Sequence, residues 1–356
     1  MRDCCLSSEY NLLFLCTRVH IDTVTAKEIA WVTEESLSWD TILTLAKKQE
    51  IVPFLYSAFQ KLELLEHMPA SILSIARNYY YANLNRNILF EKDILGITAR
   101  ARLQGIEIIP LKGFSLLYSL YQENPALRIM TDVDILVKEE DFQDTKRLLA
   151  QSGYRTIAED GYEYLVAKDV ASGTPLYLEL HNALVPARPH PVIFPLLWKR
   201  KRTQMVHGQK MYFLSDEDML LSLAVHIRRH TRRLTLKFIV DIAELLKKSD
   251  DTLDWDYILA NAQHSHCVMS VYFSLYLAQE ILNTSIPPAA LHAFRPWRIK
   301  EKLLRLALNK NNFLSLGEKR GTIIRILLFD RISELFLYLR HAVFFPTTSP
   351  KEQQKQ

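Results

Sequence analysis

The chain has 356 residues, 49% hydrophobic and 24% charged, which is ordinary for a folded globular protein and leaves room for two or three domains or one core with helical additions. The formal net charge of +4 is too small to argue for nucleic acid by itself, so a basic partner surface has to rest on local clustering. Four cysteines, Cys4, Cys5, Cys16 and Cys267, lack metal-type spacing and suggest no disulfide framework, which points to a reducing cytoplasm.

The first hundred residues read as helices. The early run "LLFLC" is short, follows Glu9 and has no small-residue cleavage site, so no secretory leader is expected. Trp39, Ile42, Leu43 and Leu45 follow the spacing of a core-facing helix, with Ser38 as its N-cap. A long helix is expected from about Ala70 to Leu103, closed by Gly105. Residues 1–105 thus form a helical N-terminal region.

From residue 106 the period changes. "IEIIP" is a short strand stopped by Pro110, "FSLLYSLYQ" a helix, "DVDILV" a strand, and "EEDFQDTKRLLAQSG" a helix closed by Gly153. "YEYLVAK", "PLYLELH", "QMVH" and "KMYFL" are further strands. Residues 106–214 therefore form an α/β core, and the fold class is α+β: a mixed sheet with flanking helices between two helical regions. Ser215 caps a helix whose first turn carries three acids, and helices continue through 215–345. The last apolar stretches are interrupted by Arg325, Asp330, Arg331, Glu334 and Arg340, so no membrane span is expected. Residues 346–356 form a polar tail.

Side chains alternate along a strand, so Asp132 and Asp134 share one face while Val133, Ile135 and Val137 share the other. Paired carboxylates repel, and burying them unpaired is expensive. A hard divalent cation removes both penalties, and magnesium is typically held by one or two carboxylates plus substrate phosphates. In "PLYLELH", Tyr177, Glu179 and His181 fall on one face, and Glu179 joins the aspartates if the two strands are neighbours. The competing reading is that the aspartates cap a strand and face water. The preceding "LKG" shifts the balance: a glycine between strand and helix lets backbone N–H groups approach phosphate, with Lys112 and Ser115 adding a charge and a hydroxyl.

These segments, "LKGFSLLYSLYQENPALRIMTDVDILV", "LELH" and "LSDEDMLLSLAVHIRRH…LKFIVDIAELL", resemble nucleotidyltransferases of the DNA polymerase β superfamily, and more closely a bacterial family described as uncharacterised nucleotidyltransferases. The similarity extends to "LSWDTILTLAKKQEIVPFLYSAF" and "LDWDYILANAQ". The resemblance implies a polymerase-β-like core in which Gly113 and Ser115 mark the nucleotide-phosphate turn, beside Lys112. It assigns Asp132 and Asp134 as metal ligands and Glu179 as the third acid. It implies Mg²⁺, with Mn²⁺ as the substitute, and transfer of a nucleoside monophosphate from an NTP, foremost ATP. The acceptor would be a hydroxyl of a protein, a tRNA end or a metabolite. This sequence departs from the superfamily pattern in reading Gly-Phe-Ser instead of adjacent Gly-Ser, and in carrying Glu as the third acid. The alternative function is a catalytically silent nucleotide sensor or scaffold using its helical regions for partner binding.

Other residues stay open at this level. Arg128 can bind the triphosphate or neutralise the acidic cluster. His181 can orient Glu179 or be a satisfied core histidine. Lys237 and Asp241, one helical turn apart, can line the acceptor side or form a buried ion pair. His226 and His230 have zinc-like spacing, but Ile227 replaces the glutamate of H-E-x-x-H, which disfavours zinc. Arg228, Arg229, Arg232, Arg233 and Lys237 can clamp a triphosphate or acidic acceptor but read mostly as a solvated helix face. "WKRKR" from Trp198 to Arg202 can touch RNA or a phosphorylated partner but reads as solvated surface, with no RNA-recognition signature beside it. Trp39, Trp255 and Trp297 are expected in cores.

Overall fold

A computed structural model describes residues 7–160, 163–170, 173–184, 196–249 and 252–344. Helices α1 (Ser8–Cys16), α2 (Thr23–Thr33), α3 (Trp39–Lys48), α4 (Val52–Lys61) and α5 (Ala70–Leu103) precede the sheet. Strand β1 (Ile109–Pro110) leads into α6 (Lys112–Ser119), followed by β2 (Asp132–Leu136), α7 (Phe142–Gln151), β3 (Arg155–Asp160), β4 (Glu163–Lys168) and β5 (Leu176–His181). A short helix α8 (Leu197–Arg200) precedes the hairpin β6 (Arg202–Val206) and β7 (Gln209–Phe213). The chain then runs through α9 (Asp216–His230), α10 (Leu236–Ser249), α11 (Trp255–His264), α12 (Val268–Leu282), α13 (Pro288–Ala293), α14 (Arg298–Ala307), α15 (Glu318–Leu327) and α16 (Ile332–Phe344).

The architecture is mixed α+β. A five-stranded sheet has the order β1-β2-β5-β4-β3, in which β2 and β5 are parallel and the other neighbours antiparallel. The β6–β7 hairpin forms a separate two-stranded sheet. Alternation explains the centre: Val133, Ile135, Leu176, Leu178 and Leu180 are buried, which leaves Asp132, Asp134, Glu179 and His181 for the other face. One apolar cluster runs from Leu12 through the sheet to Leu328, so helices from both ends of the chain share a core with it.

Several expectations need correction in detail. The strand expected across 106–110 is only two residues long, Ile109–Pro110, and the Leu111 N–H extends its bonding to the Asp134 carbonyl at 2.9 Å. The helix expected from Phe114 begins at Lys112. Strand β3 was not expected at all. Ser38 stands at the N-cap of α3, but its hydroxyl bonds the Thr41 hydroxyl at 2.8 Å and makes no backbone cap; Ser215 does accept from the Asp218 N–H. The "WKRKR" run is ion-paired: Arg200 with Glu217 at 2.7 Å, Lys201 with Glu107 at 3.2 Å and Arg202 with Asp216 at 2.9 Å. Trp39 and Trp255 pack edge-on against Phe59 and Phe294, whereas Trp297 is 67% exposed and fills no core. Among the described residues, no helix is long and apolar enough to cross a membrane. The expected polar tail lies outside the described residues, as do Cys4 and Cys5.

Candidate functional site

The site is built where the two parallel strands meet. In the β2–β5 register Asp132 lies opposite Tyr177, Asp134 opposite Glu179, and Leu136 opposite His181. Since β2 and β5 are adjacent, the condition under which Glu179 joins the aspartates is met. Asp134 and Glu179 are each only 8% exposed and His181 1% exposed. One ligand atom from each of these three lies within 4.8 Å of the others, the spacing a single metal ion needs. Asp132 stands one ladder step away on the same face and is half-buried; Thr131 donates to its carboxylate at 3.2 Å.

Asp134 is the electrostatic centre. Lys112 Nζ lies 2.6 Å from its Oδ1, and His181 Nε2 lies 2.9 Å from the same oxygen. Burial alone would push this carboxyl up, but the Lys112 ammonium and the His181 hydrogen bond hold it well below the usual carboxylate range. An ionised carboxylate can only accept, so His181 donates from Nε2. The His181 Nδ1 is then left buried without a hydrogen-bond partner. The same Nε2 is 3.6 Å from Glu179 Oε2, so the imidazole sits between the two acids.

Lys112 arrives at this position through a strained turn. Its φ of +48° lies in the left-handed region that residues with a Cβ seldom occupy. Gly113 follows at the start of α6, where a Cβ would meet Met130 Cγ and Sδ at 3.0 Å. A side chain here would make Met130 give by a few tenths of an ångström, so the glycine eases the close approach of α6 to the chain before β2. Ser115 is buried in the first turn of the same helix.

The remaining candidates divide into groups that sequence alone could not connect. Arg128 pairs with Asp241 while its guanidinium stands beside Gly113. Its Nη2 is 2.8 Å from Asp241 Oδ2, its Cζ is 3.5 Å from where a Gly113 Cβ would stand, and Tyr121 donates to Asp241 Oδ1 at 2.7 Å. The Arg128 carbonyl is held by Asn83 at 3.0 Å and Asn87 at 2.9 Å, both from α5. Asp241 is fully buried; burial pushes its carboxyl up against the pull of Arg128 and Tyr121. Lys237 is not paired with Asp241 as their spacing suggested. Its Nζ binds Glu50 Oε1 at 2.8 Å, linking α10 to the N-terminal helices, and burial lowers its pKa in spite of that partner.

His226 and His230 carry more than their spacing disclosed. Their rings are 4.3 Å apart, and Phe238 packs on both at 5.2 and 5.6 Å. Burial, then neighbouring cations including Lys112, drives His226 far down and His230 to about 3, so both imidazoles are neutral at ordinary pH. The charges of Lys112 and Asp134 act on His226, and those of Lys112 and Asp132 on His230. The i, i+4 spacing was the visible signal; the neighbourhood was not.

A buried acid pair on adjacent parallel strands, beside a strand-to-helix turn that presents a lysine, is a site suited to a metal ion and phosphate. Residues 35–283 match a family described as "Uncharacterised nucleotidyltransferase", and the chain belongs to that family. Among curated proteins, none matches the chain. A crystal structure of an antigenic nucleotidyltransferase-like protein from Paracoccidioides brasiliensis is similar at 18% identity and a TM-score of 0.32, over 55% of this chain and 93% of that one.

Proposed function

We propose that the protein is a Mg²⁺-dependent nucleotidyltransferase that moves a nucleoside monophosphate from an NTP, foremost ATP, to a hydroxyl-bearing acceptor. The observation that carries this reading is the facing of Asp134 and Glu179 across β2 and β5, with Lys112 on the same carboxylate. The donor set fits a hard divalent cation: two buried carboxylates converge, and Asp132 is one step along the same face. A bound cation supplies Lewis-acid stabilisation of charge developing on the phosphoryl oxygens and the pyrophosphate leaving group.

The chain's own groups divide the remaining work. Asp132, Asp134 and Glu179 would hold the cation, and Glu179 would also accept the proton of the attacking hydroxyl. His181 orients Asp134 by its Nε2–H, with Glu179 Oε2 3.6 Å from the same nitrogen. Lys112 is the group that responds to nucleotide: its ammonium neutralises Asp134 in this arrangement and can turn to the triphosphate when Asp134 takes a metal ion. Gly113 and the first turn of α6, with Ser115, would meet phosphate through backbone N–H groups. Arg128, Asp241 and Lys237 support the walls through their ion pairs. In this reading residues 106–214 are the transferase core and the helical regions on either side bound the acceptor space, in a protein working in the cytoplasm.

Incubation with α-labelled and γ-labelled NTP, together with pools of cellular protein, RNA and metabolites, tests this. Retention of α-label on an acceptor with release of pyrophosphate is expected, and both should vanish in Asp134→Ala. Retention of γ-label alone would mean a kinase-like reaction. No retained label and no pyrophosphate would favour a nucleotide sensor.

A further inference from the structure

A groove outside the acid pair lies at the C-terminal end of the chain. It has a volume of about 830 Å³ and is lined by Arg295, Trp297, Arg298, Lys302 and Arg305 at and along α14. This segment lies beyond residue 283, where the family match ends. Between residues 295 and 340 the sequence carries eleven lysines and arginines against four acids, a surplus of seven, whereas the whole chain has a surplus of only four. The basic character of the protein is thus concentrated at this end, and the rest is slightly acidic.

Helix α14 turns an apolar face outward. Ile299, Leu303 and Leu306 are 61%, 46% and 66% exposed, and at 100° per residue they fall within an arc of roughly 60°. Glu301 and Leu304, the residues α14 buries, lie on the opposite side. Arg298, Lys302 and Arg305 form the stripe between, all exposed. Trp297, 67% exposed, stands at the start of the helix. The basic stripe is preorganised: buried Glu301 accepts from Arg295 at 2.7 Å, from Arg305 at 3.1 Å and from Tyr272 at 3.1 Å, which fixes two half-exposed guanidinium groups.

We infer that α14, with Trp297 and the flanking arginines, is a docking surface for an anionic lipid bilayer, on which the helix lies parallel to the membrane plane. The chemistry selects this occupant. A second copy meeting face to face would set two basic stripes against each other. Nucleic acid would satisfy the arginines but leave Ile299, Leu303 and Leu306 in water. An anionic bilayer satisfies both, taking the apolar stripe and indole into its interface and its phosphates onto Arg295, Arg298, Lys302 and Arg305. This goes beyond the nucleotidyl-transfer reading and does not depend on it.

The test is sedimentation of the full chain with vesicles of phosphatidylcholine alone or mixed with phosphatidylglycerol. Binding to the anionic vesicles should exceed binding to neutral ones at least tenfold and weaken in high salt. Replacing Arg298 and Lys302 by Gln should weaken it by about fivefold for each charge removed. The triple change Ile299→Ser, Leu303→Ser and Leu306→Ser should weaken it at least tenfold, with melting temperature kept within about 2 °C because these side chains are already exposed. Asp134→Asn should bind vesicles as the wild type does. No vesicle binding, equal binding to both lipid compositions, or indifference to the serine changes would overturn the inference. So would tight binding of single-stranded RNA that the serine changes leave intact, since that would make the face a nucleic-acid site.

Discussion

Replacing Lys112 by Met removes the ammonium from Asp134 while keeping the length and apolar stem of the side chain. The pair is 2.6 Å apart with both side chains 11% exposed, so the carboxylate left behind is desolvated and retains only His181 on that oxygen. Breaking a buried pair by removing one partner costs about 3–5 kcal/mol. For a chain of this length that corresponds to a fall in melting temperature of about 4–7 °C in chelator. Divalent cation should then stabilise the variant more than the wild type. In the wild type a cation reaching Asp134 has to displace an existing partner; in Lys112→Met it fills a vacant charge position. At a hundred times its Kd a cation stabilises the folded state by about 2.7 kcal/mol, so the variant should recover much of its deficit in millimolar Mg²⁺ or Mn²⁺. NTP affinity should fall at the same time. Differential scanning fluorimetry across a cation series reads both effects. The reasoning is refuted if Lys112→Met melts with the wild type in chelator, or if added cation raises both melting temperatures by the same amount.

Other perturbations reach different parts of the frame. Asp241→Asn leaves the Arg128 guanidinium buried without its counter-ion and should lower stability by about 3–5 kcal/mol in urea unfolding, without restoration by divalent cation. His230 binds its proton near pH 3 when folded and near 6.5 when unfolded, so the unfolded state holds more protons between those values and stability falls as pH drops below 6.5. Urea unfolding at pH 6.5 and 5.5 should therefore show the wild type losing about 1 kcal/mol more than His230→Phe, which keeps a ring against Phe238. Gly321→Ala would place a Cβ 2.3 Å from the Thr231 carbonyl oxygen and 2.6 Å from Arg232 Cα. Both are backbone atoms, so α15 has to move off the end of α9, and a loss of about 1–3 kcal/mol by chemical denaturation is expected.

How far the sequence disclosed this molecule depended on whether the signal was local. The faces of β2 and β5 followed from alternation alone, because Val133, Ile135, Leu176, Leu178 and Leu180 could bury only one side of each strand. The long α5 and its end near Gly105 were equally legible, the glycine adopting a φ of +76°. Strand β3 was not, since "RTIAED" has few apolar residues and is held at a sheet edge by its ladder with β4. In the candidate site, the chain carried the acids and the lysine-glycine turn openly, but their partnership needed three dimensions. Arg128 meets Asp241 across more than a hundred residues, and Lys237 meets Glu50 across a longer separation still. Nothing in the period of α9 revealed that His226 and His230 are buried neutral rings packed on Phe238. Trp297 was expected in a core because tryptophan usually is buried; its exposure instead marks the basic outward-facing helix.

The most direct trial is a titration of Mn²⁺ with ATP followed by electron paramagnetic resonance on the wild type, Asp134→Asn and Glu179→Gln. Formation of a ternary complex in the wild type that weakens at least tenfold in each variant is predicted. Equal binding of Mn²⁺·ATP by all three proteins would contradict the claim that these two facing carboxylates hold the metal.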